Sequence, residues 1–270
     1  MMSTRAPGDD PSSAPVPSAP WRAAAEVLVA WVPAPHELRT LLPAGVSPLR
    51  LPGVAGRAAL AGVRYPSSPV GPYLELSLLV PARLGLRPGS CVVWQVVSSP
   101  AARRAYRTNW GLPTTLADLT WVADQDGGPG RELRCESPSL VLRGVPRGPA
   151  LPAYVPVRSV QRRTDGPVVV PRRFLALVRL AGMTVTVGDA ADAQHGFAGF
   201  DRLAGVHPGL VLAGARMLAR PARHPAGLWS SLRAPLAAPE PAHAGRGAVA
   251  GRGGDPRYSG APHRALSSVG

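Results

Sequence analysis

Residues Tyr73–Val80 read YLELSLLV, and their alternation indicates a β-strand whose two faces differ. Side chains along a strand point to opposite faces in turn. Tyr73, Glu75 and Ser77 therefore share one face, while the leucines at positions 74, 76 and 78 share the other. Because the neighbouring segments are strongly apolar, the polar face does not suit a solvent edge. We predict that the carboxylate of Glu75 points into a lined cavity.

Other short apolar segments, separated by proline and glycine, are typical of further strands. They are Ala25–Trp31, Cys91–Val97, Ala117–Ala123, Ser139–Leu142, Val168–Val170, Thr184–Val187 and Gly209–Ala213. Two short helices are expected, one over Pro35–Leu42 and one that follows Ser99, a suitable N-cap before Pro100. The pattern predicts a mainly β fold with a few short helices (α+β), most simply a barrel or a sandwich.

The two ends of the chain differ in composition from its centre. Residues 1–20 contain almost no bulky apolar side chains, and residues 226–270 are rich in proline, glycine, alanine and arginine. Such segments bury too little apolar surface to offset the entropy of ordering. We therefore predict a disordered leader over 1–20, one mainly β domain over 21–225 and a disordered tail over 226–270.

The chain has 270 residues and a formal net charge of +14, and none of its 30 basic residues is lysine. An arginine guanidinium stays protonated and does not attack a carbonyl, so chemistry through a lysine Schiff base is excluded. The arginines are spread along the chain rather than clustered beside aromatic stacking platforms. Nucleic-acid binding is therefore an unlikely function, and a solvated arginine-rich surface is the simpler interpretation.

Neither a membrane span nor a signal peptide is evident in the sequence. The two cysteines, Cys91 and Cys135, are too few for a disulfide framework or a four-ligand zinc site. Motifs for nucleotide phosphates, zinc hydrolysis or an activated serine are missing, and the histidines are scattered. We expect a soluble cytoplasmic protein with no metal and no cofactor.

A second informative segment, Tyr106–Trp121, reads YRTNWGLPTTLADLTW and follows the Tyr-x-Glu strand by one strand and one helix. Together the two segments resemble the acetoacetate decarboxylase superfamily, in which such a strand precedes a segment containing Arg and then Pro-Lys-Lys-Leu. Leu41–Pro43 and Phe200–Met217 are similar to the family's early helix end and closing strands, so the resemblance covers roughly residues 21–220. It implies a β-barrel or cone with a central cavity, and a homo-oligomer.

Position by position, the resemblance makes Glu75 the family's active-site glutamate and Arg107 the arginine six residues before Pro113. Both family lysines are replaced, by Thr114 and Thr115, so these positions supply only hydrogen bonds or, with a base, a poor alkoxide. An early-strand arginine of the family falls on Ala24, with Arg22 two residues away as a candidate substitute. Trp94, Trp110 and Trp121 are expected to be core aromatics rather than ligand platforms.

The resulting hypothesis is a protein that binds a small oxo- or carboxylate-bearing metabolite in a barrel cavity. If it is an enzyme, Glu75 is the catalytic acid/base of a lyase, hydratase or cyclase-like reaction, and Arg107, Tyr73, Thr114 and Thr115 bind substrate. Two readings of Arg107 stay open, as a clamp for the substrate carboxylate or as a structural partner of Glu75. Thr114 and Thr115 could equally be plain turn residues, and the whole protein a non-catalytic sensor or accessory protein.

Overall fold

The computed structural model describes residues 15–53, 55–123, 130–188 and 199–225, all of which belong to one structural unit, Met1–Trp229. These residues form eleven strands and one α-helix. The strands are β1 Trp21–Pro33, β2 Val46–Pro48, β3 Arg57–Ser67, β4 Tyr73–Leu84, β5 Arg87–Val97, β6 Thr114–Leu116, β7 Leu119–Ala123, β8 Arg131–Cys135, β9 Leu140–Arg163, β10 Gly166–Val187 and β11 Gly205–Ala219; the helix is α1 Pro100–Trp110. The predicted mainly β class is confirmed.

One sheet contains all eleven strands, in the order β6-β5-β4-β3-β1-β11-β10-β9-β8-β7, with β2 paired to β4. A further bridge between Ser90 of β5 and Ser159 of β9 joins two strands that are far apart in this order. The bridge closes β5, β4, β3, β1, β11, β10 and β9 into a ring of seven strands. The ring defines an inside, toward which the polar face of β4 is directed.

Helix α1 begins where the local sequence predicts. The side chain of Ser99 accepts a hydrogen bond from the backbone N–H of Ala102, and Pro100 starts the helix. Gly111 ends it with φ of 66°, a left-handed conformation that glycine adopts without a steric penalty.

The second predicted helix, Pro35–Leu42, is shorter than expected. Only His36–Arg39 forms a 3-10 turn, because prolines at both ends leave room for little more.

Strands β9 and β10 are much longer than the sequence suggests. The predicted segments Val168–Val170 and Thr184–Val187 are parts of one strand, β10, and β9 continues through four prolines between residues 146 and 156. A proline cannot donate to a neighbouring strand, so it is tolerated where one strand edge is free. Between residues 145 and 157, β9 pairs with β10 along one edge and with no other described strand along the second.

Two apolar clusters flank the ring of strands. Even-numbered residues of β4, such as Leu76 and Leu78, pack outside the ring against side chains of β8 and β9. Gly62 permits this close packing, since a Cβ atom there would lie 2.9 Å from Leu133 Cδ2. The second cluster gathers aromatic side chains, including Trp21, from β1, β3, β4 and α1 at one end of the ring interior.

The predicted tail, 226–270, and residues 1–14 of the predicted leader lie outside the described residues. Residues 15–20 are described and contact the domain. The carbonyl oxygen of Pro17 accepts hydrogen bonds from Trp21 Nε1 at 3.1 Å and from Asn109 Nδ2 at 2.9 Å. Within the described part of the chain, no helix has the length and apolar character needed to span a bilayer.

Candidate functional site

The seven strands of the ring enclose a cavity of about 230 Å³. Most of its lining is aliphatic or aromatic, as in many small-molecule sites. Two lining residues carry charge, Glu75 and Arg172, and four more carry hydroxyl groups. The lining residues are Val27, Val29, Trp31, Ala59, Ala61, Val63, Tyr65, Glu75, Ser77, Leu79, Pro81, Ser90, Val92, Val155, Val157, Ser159, Arg172, Phe174, Leu210 and Leu212.

Glu75 is 3% exposed and accepts three hydrogen bonds. Ser77 Oγ donates to Oε1 at 2.7 Å and Gln95 Nε2 donates to the same oxygen at 2.8 Å. Tyr106 OH donates to Oε2 at 2.6 Å. A carboxylate offers about four acceptor sites, so these three bonds hold it in one orientation and leave capacity for one further partner. The predicted position of Glu75, on the cavity face of its strand, is observed.

Gln95 is oriented by Thr114, at the first of the two positions that the sequence resemblance matches to the family's lysines. Thr114 Oγ1 donates to Gln95 Oε1 at 2.5 Å, which turns Nε2 of the amide toward Glu75. Both side chains are buried, at 1% exposure for Thr114 and 0% for Gln95. Thr114 thus acts on the carboxylate through Gln95, whereas it was predicted to contact substrate.

Tyr65, Tyr73 and Tyr106 form a cluster beside the carboxylate of Glu75. Tyr73 stacks on Tyr65 with ring centroids 4.5 Å apart, and its hydroxyl shares a 2.7 Å hydrogen bond with that of Tyr106. Burial, followed by the negative charge of Glu75, raises the pKa of Tyr106 well above its usual value. The phenol therefore keeps its proton at neutral pH and remains a donor to Glu75.

Arg172, on β10, is the other charged group of the cavity. It is 7% exposed, and its Nε and Nη2 atoms are buried without a hydrogen-bond partner among the described residues. Its guanidinium carbon lies 5.7 Å from the ring centroids of both Tyr106 and Trp110. Burial by itself lowers the pKa of Arg172, but nearby Tyr106 and Glu75 more than compensate, so the pKa is raised and the charge is kept. The structure thus presents a buried cation whose donors are unused.

A third unused donor lies close to Arg172 on the same inner face. Ser159 Oγ is buried and has no partner among the described side chains. Ser159 is paired with Val170 of β10, two residues before Arg172, and side chains two apart on a strand share a face. The cavity wall thus carries unsatisfied donors at neighbouring positions, an arrangement that fits an anionic ligand. Within the described ranges, no group of three or more His, Cys, Asp or Glu residues could hold a metal ion.

The structure brings only part of the predicted site together. Arg107 is exposed on the outer side of α1 and does not line the cavity, and no ion pair between Arg107 and Glu75 is found among the described residues. Thr115 is exposed, with only a 3.5 Å contact to the carbonyl oxygen of Gln95. Arg22 is exposed too, because the residues on either side of it on β1 face inward.

Tyr73 is buried beneath the site and supports Tyr106 rather than lining the cavity. Trp110 and Trp94 are core aromatics, as expected, at 0% and 6% exposure, and Trp121 packs at the edge of the first cluster. Each of these side chains therefore serves packing, and the cavity chemistry is left to Glu75 and Arg172.

Sequence reasoning missed Arg172, Gln95 and Tyr106 as site residues. A signal for Arg172 exists, because it alternates with Val170 and Phe174 and so lies on the apolar face of a strand. Its neighbour Arg173 made the pair resemble a solvated surface. Ala102, Tyr106 and Trp110 are spaced four residues apart along α1, so they share the buried face of the helix. Arg107 therefore lies on the outer face.

A model of the acetoacetate decarboxylase family matches residues 2–136. No curated protein matches the chain by sequence.

Solved structures with this fold include the enduracididine biosynthesis enzyme MppR complexed with pyruvate, with a TM-score of 0.58 and 16% identity over 78% of this chain and 92% of that one. Acetoacetate decarboxylase from Legionella pneumophila has a TM-score of 0.52 and 16% identity over 82% and 96% of the two chains. An acetoacetate decarboxylase-like enzyme from Sphingomonas wittichii has a TM-score of 0.56 and 15% identity over 76% and 92%. At these identities the likeness concerns the fold.

Proposed function

Because the chain belongs to the acetoacetate decarboxylase family, we propose that its cavity binds a small oxo- or carboxylate-bearing metabolite without forming a Schiff base. The sequence contains no lysine, and Thr114, at the first lysine position, is committed to Gln95. A hydroxyl group cannot form an imine with a ketone. Any chemistry at this site therefore uses hydrogen bonds, charge and proton transfer.

The unpartnered guanidinium of Arg172 is the observation that carries this proposal. Its buried Nε and Nη2 atoms have no acceptor among the described residues, which is costly, and the cost falls when an anion occupies the cavity. A carboxylate matches the flat fork of a guanidinium with two parallel hydrogen bonds. MppR, which has this fold, has been solved with pyruvate bound. An oxo acid of that kind supplies both a carboxylate for Arg172 and an acidic carbon for Glu75.

Glu75 is the acid/base of this proposal. With three of its acceptor sites occupied, the remaining site takes a proton from the carbon beside the oxo group of the ligand. The electron pair of the broken C–H bond becomes an enolate, whose negative charge Arg172 stabilises. Loss of a group from the next carbon, which takes the proton back from Glu75, completes a lyase or hydratase reaction. Attack by the enolate carbon on a second carbonyl, whose π electrons move to its oxygen and accept that proton, completes a cyclase-like one.

A non-catalytic sensor or accessory protein is the alternative, and the hydrogen-bonding of Glu75 favours it. Three donors fix the orientation of this carboxylate and leave it only one free acceptor site, as suits a fixed polar part of the cavity wall. A protein with this arrangement could bind an oxo acid through Arg172 and release it unchanged.

Deuterium exchange separates these two functions. The protein is incubated in D₂O with pyruvate, acetoacetate or longer oxo acids, and NMR measures loss of the protons beside the oxo group. Exchange faster than in buffer supports the acid/base role. Saturable binding without faster exchange supports the sensor. The absence of both binding and exchange for every oxo acid would contradict the proposed function.

Borohydride trapping tests the absence of an imine. After incubation with acetoacetate and borohydride, we expect mass spectrometry to find no adduct mapped within residues 21–220, because no primary amine occurs there. A mapped adduct in that range would refute the proposed chemistry.

We also propose a reducing, cytoplasmic location. Cys91 and Cys135 are both free and buried. Free buried thiols are compatible with a compartment in which disulfides do not form.

A further inference from the structure

The cavity is polar at one end and apolar along the rest of three neighbouring strands. Paired residues of β4, β3 and β1 form successive layers: Glu75, Val63 and Val27; then Ser77, Ala61 and Val29; then Leu79, Ala59 and Trp31. The carboxylate belongs to the first layer, a hydroxyl to the second, and two aliphatic side chains and an indole ring to the third. Four residues along β4 separate the first layer from the third, which is about 13 Å at roughly 3.3 Å per residue.

From this layering we infer that the ligand is an oxo acid with an unbranched aliphatic tail, of about hexanoate to octanoate length. This inference rests on the proposed function, in which Arg172 and Glu75 hold the acid end. A short acid such as pyruvate reaches only the first layers. It leaves the apolar walls formed by Leu79 and Ala59 facing water, so burial of a tail against them adds affinity.

The dimensions of the cavity fit such a tail. One water occupies about 30 Å³ of liquid, so about 230 Å³ holds on the order of eight groups of that size, more than the non-hydrogen atoms of pyruvate. Ala59 and Ala61 leave this space open, since larger side chains at these inward positions would fill it. The far end reaches Trp31, which is 40% exposed, so the tip of a longer chain emerges beside an apolar ring.

The positions of the unused donors in the cavity lining match a ligand that carries a single acid group. Arg172 and Ser159 carry the unpartnered buried polar atoms of the lining. The lining residues of the second and third layers on β1 and β3 are aliphatic except for the indole of Trp31. A dicarboxylate or a sugar acid that turned its second polar group toward these walls of β1 and β3 would bury it against mainly apolar side chains, and that costs free energy.

Calorimetric titration with butyrate, hexanoate, octanoate and pyruvate tests the inference. Each buried methylene contributes about 0.8 kcal/mol, or roughly fourfold in affinity, so hexanoate should bind at least about tenfold more tightly than butyrate. Ala61→Leu should reduce this ratio to near one. Ala24→Leu, on the exposed face of β1, is the matched control and should keep the parent ratio. Ala59→Leu repeats the test in the third layer if Ala61→Leu fails to fold.

The outcomes separate this inference from the proposed function. Equal affinity for butyrate, hexanoate and octanoate would contradict the inference of an aliphatic tail. If pyruvate still bound in a way that depends on Arg172, the proposed function would remain. Octanol binding as tightly as octanoate would overturn the role of Arg172, and with it both proposals.

Discussion

Glu75 and Arg172 line the same cavity with opposite charges, yet among the ion pairs of the described residues none joins them. Tyr106 lies between the two, donating to Glu75 at 2.6 Å while its ring centroid is 5.7 Å from the guanidinium of Arg172. The carboxylate is therefore satisfied by neutral donors, and Nε and Nη2 of Arg172 have no acceptor among the described residues. The proposed binding of an anion at Arg172 depends on this separation.

Glu75→Gln should leave the fold nearly as stable as the parent, with a loss of unfolding free energy below about 1 kcal/mol. The amide oxygen can accept from Ser77 and Gln95, and the new NH₂ group can donate to Tyr106, whose hydroxyl then donates to Tyr73. Loss of the carboxylate should abolish deuterium exchange or ligand-induced stabilisation. Urea denaturation and thermal shift measure the two effects.

Glu75→Leu is the control, because it leaves buried Tyr106, Gln95 and Ser77 without their acceptor. It should cost several kcal/mol at roughly 1–3 kcal/mol per unsatisfied group. If Glu75→Gln melted as low as Glu75→Leu and still responded to every ligand of the parent, the functional role of Glu75 would be lost.

Thr114→Val should destabilise the protein by about 1–3 kcal/mol, because it leaves the buried Oε1 of Gln95 without a donor. The amide is then free to turn its oxygen toward Glu75, which would weaken ligand binding. Thr115→Val, at the adjacent exposed position, is the matched control and should change stability by less than about 0.5 kcal/mol. Equal effects of the two substitutions would contradict the orienting role of Thr114.

Alkaline solution should destabilise the protein well before bulk tyrosine ionisation. Burial raises the pKa of Cys91 to about 12 and that of Cys135 to about 11, compared with about 8.5 for an exposed thiol. Between about pH 8.5 and these raised pKa values, the thiols of the unfolded chain release protons that the folded chain retains. Stability from these thiols is complete below about pH 8.5 and falls by about 1.4 kcal/mol per pH unit for each thiol as pH rises toward the folded pKa.

Urea denaturation between pH 7 and pH 10.5 measures this slope. A Cys91→Ala, Cys135→Ala variant should show a shallower decline than the parent. Identical slopes in the two proteins would show that the thiols are not responsible.

Self-association is expected through the outer face of β9 and β10. Tyr154 and Leu175 are paired across these strands and are 56% and 60% exposed, beside Leu177 at 48%. A contiguous exposed apolar surface of this kind marks an interaction site. Light scattering should report an oligomer that Leu175→Arg dissociates. Leu86→Arg, at the 87% exposed turn between β4 and β5, is the control. A monomeric parent would contradict the expectation.

Alternation along single strands predicted the cavity face of β4 correctly, because a period of two is a local property. Closure of the ring through Ser90 and Ser159 joins residues far apart in sequence, and no local pattern specifies it. The length of β9 could not be predicted, because it contains several prolines and proline usually ends a strand. A strand with one unpaired edge tolerates them.

For Arg107, the family motif and the helical period of α1 predict opposite positions, inside the site and outside it. The family pattern selects Arg107, whereas the spacing of Ala102, Tyr106 and Trp110 along α1 turns Arg107 outward. Arg172 supplies the buried cation from a strand more than sixty residues later. Contacts of that range follow from the packing of the whole sheet, so the sequence predicts the carboxylate but not its cationic counterpart.

Titration calorimetry on Arg172→Met, with the tightest-binding of pyruvate, acetoacetate and hexanoate, tests the central claim most directly. A hydrogen-bonded charge contributes about 1.5–3 kcal/mol, so affinity should fall by roughly ten- to a hundredfold or more. Stability should change by only about 1 kcal/mol, since loss of the contacts with Tyr106 and Trp110 is offset by removal of an unpaired buried charge. Arg173→Met, next to it on the exposed face of β10, should bind like the parent. Unchanged affinity in Arg172→Met would contradict the account.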